Sequence, residues 1–231
     1  RRMARLQAAR DVQIVQQLAA HPHPDRLVDM VANVSIGVWA RRTHDPDFAH
    51  LRIGRGDVPS LIGVDGPDPD LDAPEIRRAL RLVYKYRVVE RGVQRLSLYD
   101  HGSVGLVGKR EDVRRLAYAM LAQLVVHHAP SDISLYIISS ESGEQQWGWA
   151  HWLPHPSRDA LGGFPDCIAY DPKDAASLIS LISARFEALG DDQPTNLKRV
   201  VVVFDQPNRW LGDSTFHKVI AGHGQGVVAL C

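Results

Sequence analysis

Gly102-Ser-Val-Gly-Leu-Val-Gly-Lys-Arg110, followed at once by the helical run Glu111 to His127, is the stretch on which the reading of the fold turns. It looks like a phosphate loop. That pattern, G-x-x-x-x-G-K-[ST], uses glycines so that backbone N–H groups close on phosphate, a lysine for the β/γ charge and a hydroxyl for Mg²⁺. With Gly108-Lys109 on the Gly-Lys of the pattern, the first glycine falls on Ser103 and the hydroxyl on Arg110, so two key positions fail. A second register fits the apolar texture better. Val104-Gly-Leu-Val107 reads as the buried strand that precedes such a loop, the first glycine is Gly108 itself, and the helix starts within a few residues. On this register the cradle is shortened rather than mutated.

Working outward, Val200-Val-Val-Val-Phe-Asp205-Gln206 is an apolar strand ending in an Asp, as in ATPases where that Asp holds the Mg²⁺ shell. A Glu often follows it to polarise water. Here the position holds Gln206, an amide that accepts no proton at neutral pH, so base assistance of about 10²–10⁴-fold is missing. An ordinary buried strand ending in a turn residue before Pro207 explains the same letters equally well. Short apolar runs alternate with longer helical patterns: strands at Val93–Tyr99, Val104–Val107, Ile133–Ser139, Val200–Phe204 and Gly226–Leu230, helices at Glu111–His127, Asp174–Leu189 and about Leu211–Ala221. This order predicts a mostly parallel sheet with crossover helices. Order supports a nucleotide-type fold, not activity.

Lys and Arg total 27 against 27 Asp and Glu, which leaves no net field to hold a polyanion and argues against nucleic acid as the bulk partner. Cys167 and Cys231 cannot make the disulfide framework of a small secreted domain, so a reducing compartment is expected. No apolar run approaches the roughly 18 residues of a membrane helix. The chain starts at Arg1 and stops inside Gly226-Val-Val-Ala-Leu-Cys231, so it reads as a piece of something longer.

Arg1–Ala20 lacks Gly and Pro and is loosely amphipathic through Met3, Leu6, Val12, Val15 and Leu18, which predicts a helix with a solvated basic face. The prolines of His21-Pro-His-Pro24 stop it; a rigid turn explains these histidines better than a metal. Asp25 then caps a short helix through Ala32. Ile36 to Gly56 reads as a hairpin or small sheet around the Thr43–Asp47 turn, Asp57 to Pro74 as an acidic linker, and Glu75 to Tyr86 as an amphipathic helix.

Gln146-Trp-Gly-Trp-Ala-His-Trp-Leu-Pro-His155 packs three tryptophans into a short loop. Trp147, Trp149 and Trp152 are candidates for packing and docking rather than for stacking a ligand, and Pro154 separates His151 from His155 as metal ligands. Ser139 to Gly143 and the run from Asp191 read as turns.

Several segments, in order, resemble one family: the membrane-anchored FtsK/SpoIIIE-type ATPases of type VII (ESX) secretion, known as EccC or EssC. The residues that carry the resemblance are His21-Pro-His-Pro24-Asp-Arg-Leu27, Val38-Trp39-Ala-Arg41-Arg42, Asp45-Pro-Asp-Phe48 with Leu51-Arg-Ile-Gly54-Arg-Gly56, Val104 to Arg110, and Trp147 to His155. They cover the chain from about His21 onward, which resembles the family's membrane-proximal domain. Ala40 departs from an acidic residue common there, and Lys109 from a frequent proline.

The resemblance implies an α/β fold that is P-loop NTPase-like (RecA/FtsK-like), with a mostly parallel sheet and a degenerate nucleotide site. Residues 1–20 would be a stalk helix, 21–92 an N-terminal β-containing region and 93–231 the ATPase-like domain. It implies membrane attachment through preceding transmembrane helices at the cytoplasmic face of the plasma membrane. The implied partners are membrane-complex subunits and adjacent ATPase modules of the same chain. Gly105, Gly108, Lys109, Arg110, Asp205 and Gln206 are the nucleotide-site candidates. No cofactor is required, ATP and Mg²⁺ bind weakly at most, and Asp205 is a metal ligand only if Mg-nucleotide binds. The expectation is a pseudo-ATPase; the alternative is a slow, unorthodox ATPase using Lys109 and Asp205.

Overall fold

The computed structural model describes residues 2–63, 74–156, 167–189, 198–222 and 227–231. Most of the acidic linker, the run from Asp191 and Gly226 lie outside these residues. In chain order the elements are α1 (Arg2–Ala20), α2 (Pro24–Ala32), β1 (His50–Pro59), α3 (Pro74–Arg87), β2 (Val88–Ser97), α4 (Leu98–His101), α5 (Arg110–His127), β3 (Ile133–Ile138), α6 (Glu144–Trp147), β4 (Ile168–Ala169), α7 (Pro172–Leu189), β5 (Arg199–Phe204), α8 (Ser214–Ala221) and β6 (Val227–Leu230). They form two compact units, Arg1–Arg26 with Arg52–Leu96, and Leu27–Leu51 with Ser97–Cys231.

In the first unit β1 pairs with β2 in a two-stranded sheet. This corrects two expectations. Val93–Tyr99 does not join the parallel sheet, and the hairpin expected within Ile36–Gly56 is replaced by a single strand whose partner lies some thirty residues on. Against this ribbon α1 lays a polar seam. The Arg10 guanidinium donates to Val88 O at 2.7 Å, the Gln13 amide donates to Pro59 O at 3.0 Å and accepts from Leu61 N–H at 2.9 Å, and Gln17 accepts from Val93 N–H at 3.1 Å. Arg10 and Gln13 are buried while Val12 and Val15 are exposed, the reverse of the expected face. Ribbon and helix meet at Gly92, where a Cβ would lie 2.2 Å from Val58 Cγ2 and 3.1 Å from the Gln17 amide oxygen.

The second unit holds a four-stranded sheet in the order β4-β3-β5-β6. Every pairing is parallel, with Ile133 opposite Arg199 through Ile138 opposite Phe204, and Val200 opposite Val227. Val104–Leu106 extends it at the β6 edge: Val104 N–H donates to Ala229 O at 2.8 Å, Cys231 N–H to Val104 O at 2.9 Å and Leu106 N–H to Cys231 O at 2.7 Å. The predicted Val104–Val107 strand is thus a short ladder beside β6. One face of the sheet, with Tyr136, Ile138, Val200, Val202 and Phe204, packs on Leu178, Ile179 and Ile182 of α7 and Phe216 and Val219 of α8. The alternate residues point to the other face, where Val203 and Ala117 of α5 line one cleft. β3 is buried at every position, which is why it reads as an unbroken apolar run rather than an alternating one.

The last carbonyls of an α-helix lack intrahelical donors. At the end of α5 they are met by the Ile36–Arg41 segment: Trp39 N–H donates to Val126 O at 2.8 Å, its indole to Val125 O at 3.1 Å, and Arg41 N–H to His127 O at 3.0 Å. Two neighbouring histidines are part of this joint. The His128 ring donates from Nδ1 to Leu124 O at 2.8 Å and accepts the Ala49 N–H on Nε2 at 3.0 Å, which fixes a neutral tautomer. Burial foremost, with the Arg41 guanidinium adding to it, pushes both His127 and His128 down to about 4.

Candidate functional site

At the carboxyl ends of β3 and β5 the Asp205 N–H bonds to Ile138 O at 2.9 Å, which sets its side chain at the rim of the sheet. One of its carboxylate oxygens is already engaged. The Ser139 hydroxyl donates to Oδ2 at 2.9 Å and the Trp147 indole N–H to the same oxygen at 3.0 Å. A tryptophan reaches this point because a 3₁₀ turn at Glu141–Gly143 leads straight into α6. Gly143 makes the turn possible: a Cβ there would stand 2.0 Å from Ser139 Oγ and 3.4 Å from Asp205 Oδ2. Trp147 is held from behind by Tyr118 of α5, edge to face at 5.2 Å, and the Tyr118 hydroxyl donates to Gln146 O at 2.9 Å.

Gln206 follows in the left-handed region at φ 76°, and Pro207 then opens a 3₁₀ turn. Asp205 and Gln206 therefore sit together at the strand end. The loop candidates sit differently. Only Val107, Gly108 and Lys109 separate the Leu106 ladder bond from the start of α5, and Val107 is fully exposed. Neither loop glycine is sterically required, since a Cβ at Gly105 meets nothing within 4 Å and one at Gly108 makes an ordinary 3.5 Å contact with Val113. Lys109 occupies the N-cap of α5 with an exposed side chain and no side-chain capping bond.

Between these pieces lies a cleft of about 70 Å³, lined by Leu106, Arg110, Arg114, Trp147, Asp205 and Cys231 among others. Burial pushes the Cys231 thiol up to about 11, so it is a neutral wall group. Arg110 and Asp205 are brought to one cleft; Gly105, Gly108, Lys109 and Gln206 do not line it. Among the described residues no three His, Cys, Asp or Glu side chains are grouped to hold a metal ion.

The three tryptophans of the Trp147–Trp152 segment separate by role. Trp147 is 3% exposed over Asp205, Trp149 is 37% exposed with its ring 5.7 Å from Tyr118, and Trp152 is 90% exposed. Ser139 and Gly143, read in sequence as turn formers, are the residues that sequence reasoning missed. A serine directly after a buried strand and a glycine four positions on is the signal that could have found them.

No family model matches the chain. It is similar to the ESX-3 secretion system protein EccC3 of Mycobacterium tuberculosis, 32% identical over 219 residues that cover 91% of this chain and 16% of that protein. An ESX secretion system protein EccC of Geobacillus thermodenitrificans is 29% identical over 184 residues, covering 77% of this chain and 12% of the relative. The ESX secretion system protein YukB of Bacillus subtilis is 26% identical over 137 residues, covering 58% and 9%. The chain thus spans 16% or less of the length of these relatives.

Proposed function

Because this chain belongs to the EccC family of ESX, or type VII, secretion proteins, we propose that it is an ATPase-like domain of a secretion motor that couples the membrane complex to downstream ATPase modules and hydrolyses little or no ATP itself. The observation that carries this reading is Asp205. Its Oδ2 accepts two protein donors, Ser139 and Trp147, at the place where a Mg²⁺-water shell would need a free acceptor.

The surroundings support it. A cleft of about 70 Å³ is well below the about 300–1,000 Å³ of ordinary ligand sites. The connection from the Leu106 ladder bond to α5 leaves no length for a cradle of backbone N–H groups, and Arg110 brings positive charge and no hydroxyl. The residues present do not fit a Mg-nucleotide. A slow ATPase through Lys109 and Asp205 would need the ammonium group in the cleft, and Lys109 is not among its lining residues. The strand order, with β6 between the Val104–Leu106 ladder and β5, supports a P-loop-like ancestry for the sheet. In this reading the domain sits at the cytoplasmic face, its partners are membrane-complex subunits and neighbouring modules, and Trp149 and Trp152 are contact residues.

The test is steady-state ATP turnover and isothermal calorimetry with MgATP on the purified protein. No turnover, no heat and no thermal stabilisation at millimolar nucleotide are expected. Turnover abolished by Lys109→Ala or Asp205→Ala would overturn the reading. Arg110→Thr should restore nothing, because a hydroxyl cannot replace the missing loop length.

A further inference from the structure

Helix α3 carries Arg77, Arg78, Arg81, Lys85 and Arg87 against a single acid, Glu75. Its inward face is fixed by Val83 and Tyr86, both buried. At about 100° per residue, Arg77, Arg81, Lys85 and Arg78 fall within one outward arc of about 100°. All four are exposed. Two large side chains border the arc, Tyr84 at 65% exposure on one side and Leu82 at 43% on the other. The Arg87 guanidinium lies 5.6 Å over the Tyr84 ring and carries the positive surface past it.

This arrangement is unfavourable for the helix alone. Arg81 and Lys85 are like charges at i, i+4, which repel. Arg78 lies just after the first turn, where the helix dipole favours anions. Arg78, Arg81 and Lys85 have no ion pair among the described residues. A partner that supplies negative charge across a broad surface relieves both costs. The exposed tyrosine and leucine at the borders call for that surface to be apolar just beneath its charge, which is the character of a bilayer interface.

We propose that α3 is a docking face for an anionic lipid surface, with Arg77, Arg78, Arg81 and Lys85 at the headgroups and Tyr84 and Leu82 inserted beside them. The test is co-sedimentation of the 231-residue protein with vesicles of phosphatidylcholine alone, and of equal parts phosphatidylcholine and phosphatidylglycerol, at low and high salt. Binding to the anionic vesicles only, weakened by salt, is expected. The Arg78→Glu/Arg81→Glu variant should lose about tenfold or more in partitioning with its melting temperature unchanged. Arg78→Lys/Arg81→Lys should retain binding, because the surface reads charge rather than guanidinium geometry. Equal binding to neutral vesicles, or partitioning unchanged by charge reversal, overturns the proposal. So does displacement from the vesicles by polyuridylate or polyglutamate at concentrations where the lipid should win, since the face would then belong to a nucleic acid or an acidic peptide.

Discussion

The seam between α1 and the β1–β2 ribbon and the interior around β5 both hold helices against strands, yet they are made of opposite materials. In the parallel-sheet unit, Val200, Val202 and Phe204 meet α7 and α8 through carbon alone. In the other unit, Arg10, Gln13 and Gln17 reach strand and loop backbone through four hydrogen bonds while the helix's valines face solvent. An apolar interface tolerates sliding and is graded in strength by area removed from water. An amide-to-backbone seam contributes less per contact but fixes register, because each buried donor left unpaired is costly.

Four experiments would break or sharpen that contrast. The largest effect is expected from Phe216→Ala, which empties a site fully buried and packed edge to face on Phe204 at 4.8 Å. Urea denaturation should report a loss of about 3–5 kcal/mol. Acidification comes next. His127 and His128 are held neutral in the fold at about 4 against an unfolded value of 6.5, so the unfolded chain binds more protons between these limits. Stability is whole above about 6.5 and falls as the pH drops towards 4, by about 2 kcal/mol per histidine at pH 5. His127→Leu should flatten part of that slope, at the cost at pH 7.5 of the ring's Nδ1 hydrogen bond to Gly37 O at 3.3 Å, its Nε2 being buried without a partner. No histidine takes part in the α1 seam, so the protection of Leu61 and Val93 against hydrogen exchange, once the intrinsic pH dependence of amide exchange is divided out, should be insensitive to the same change of pH.

Gln13→Ala should cost about 1–3 kcal/mol by stranding Pro59 O and Leu61 N–H. Faster exchange at Leu61 with the β3–β5 amides unchanged is the signature that separates seam from core. The smallest effect is expected from Trp152→Ala, within about 0.5 kcal/mol in urea because the side chain is exposed. A large loss there would mean that the segment packs on something within the chain.

The same contrast explains what the sequence made legible. β3, β5 and β6 and the helices α5 and α7 announce themselves because apolar runs and helical periods are the direct imprint of burial. The Asp205 strand end could be placed for the same reason. The α1 face could not, because its buried side is written in Arg and Gln, letters that normally mean solvent. The partner of Val93–Tyr99 is not legible because a β-rich run carries no mark of its partner, and β1 lies across α3 in sequence. Pairing of Ser139, Trp147 and Asp205 was invisible from spacing, since it depends on a tight turn at Gly143 rather than on any period. The shortened connection before α5 was readable from the apolar character of Val104 to Val107.

The indole over Asp205 also makes this corner of the molecule an optical instrument. Trp147 is enclosed, with its N–H 3.0 Å from a carboxylate oxygen, whereas Trp152 stands in water. Acrylamide should quench the second and spare the first; with Trp39, Trp149 and Trp210 replaced by phenylalanine, the emission that remains has a colour that depends on the charge and position of one side chain. Any event that pulls Asp205 away, whether a metal, a nucleotide or a neighbouring module pressing on the β5 end, would change that colour without a label being added.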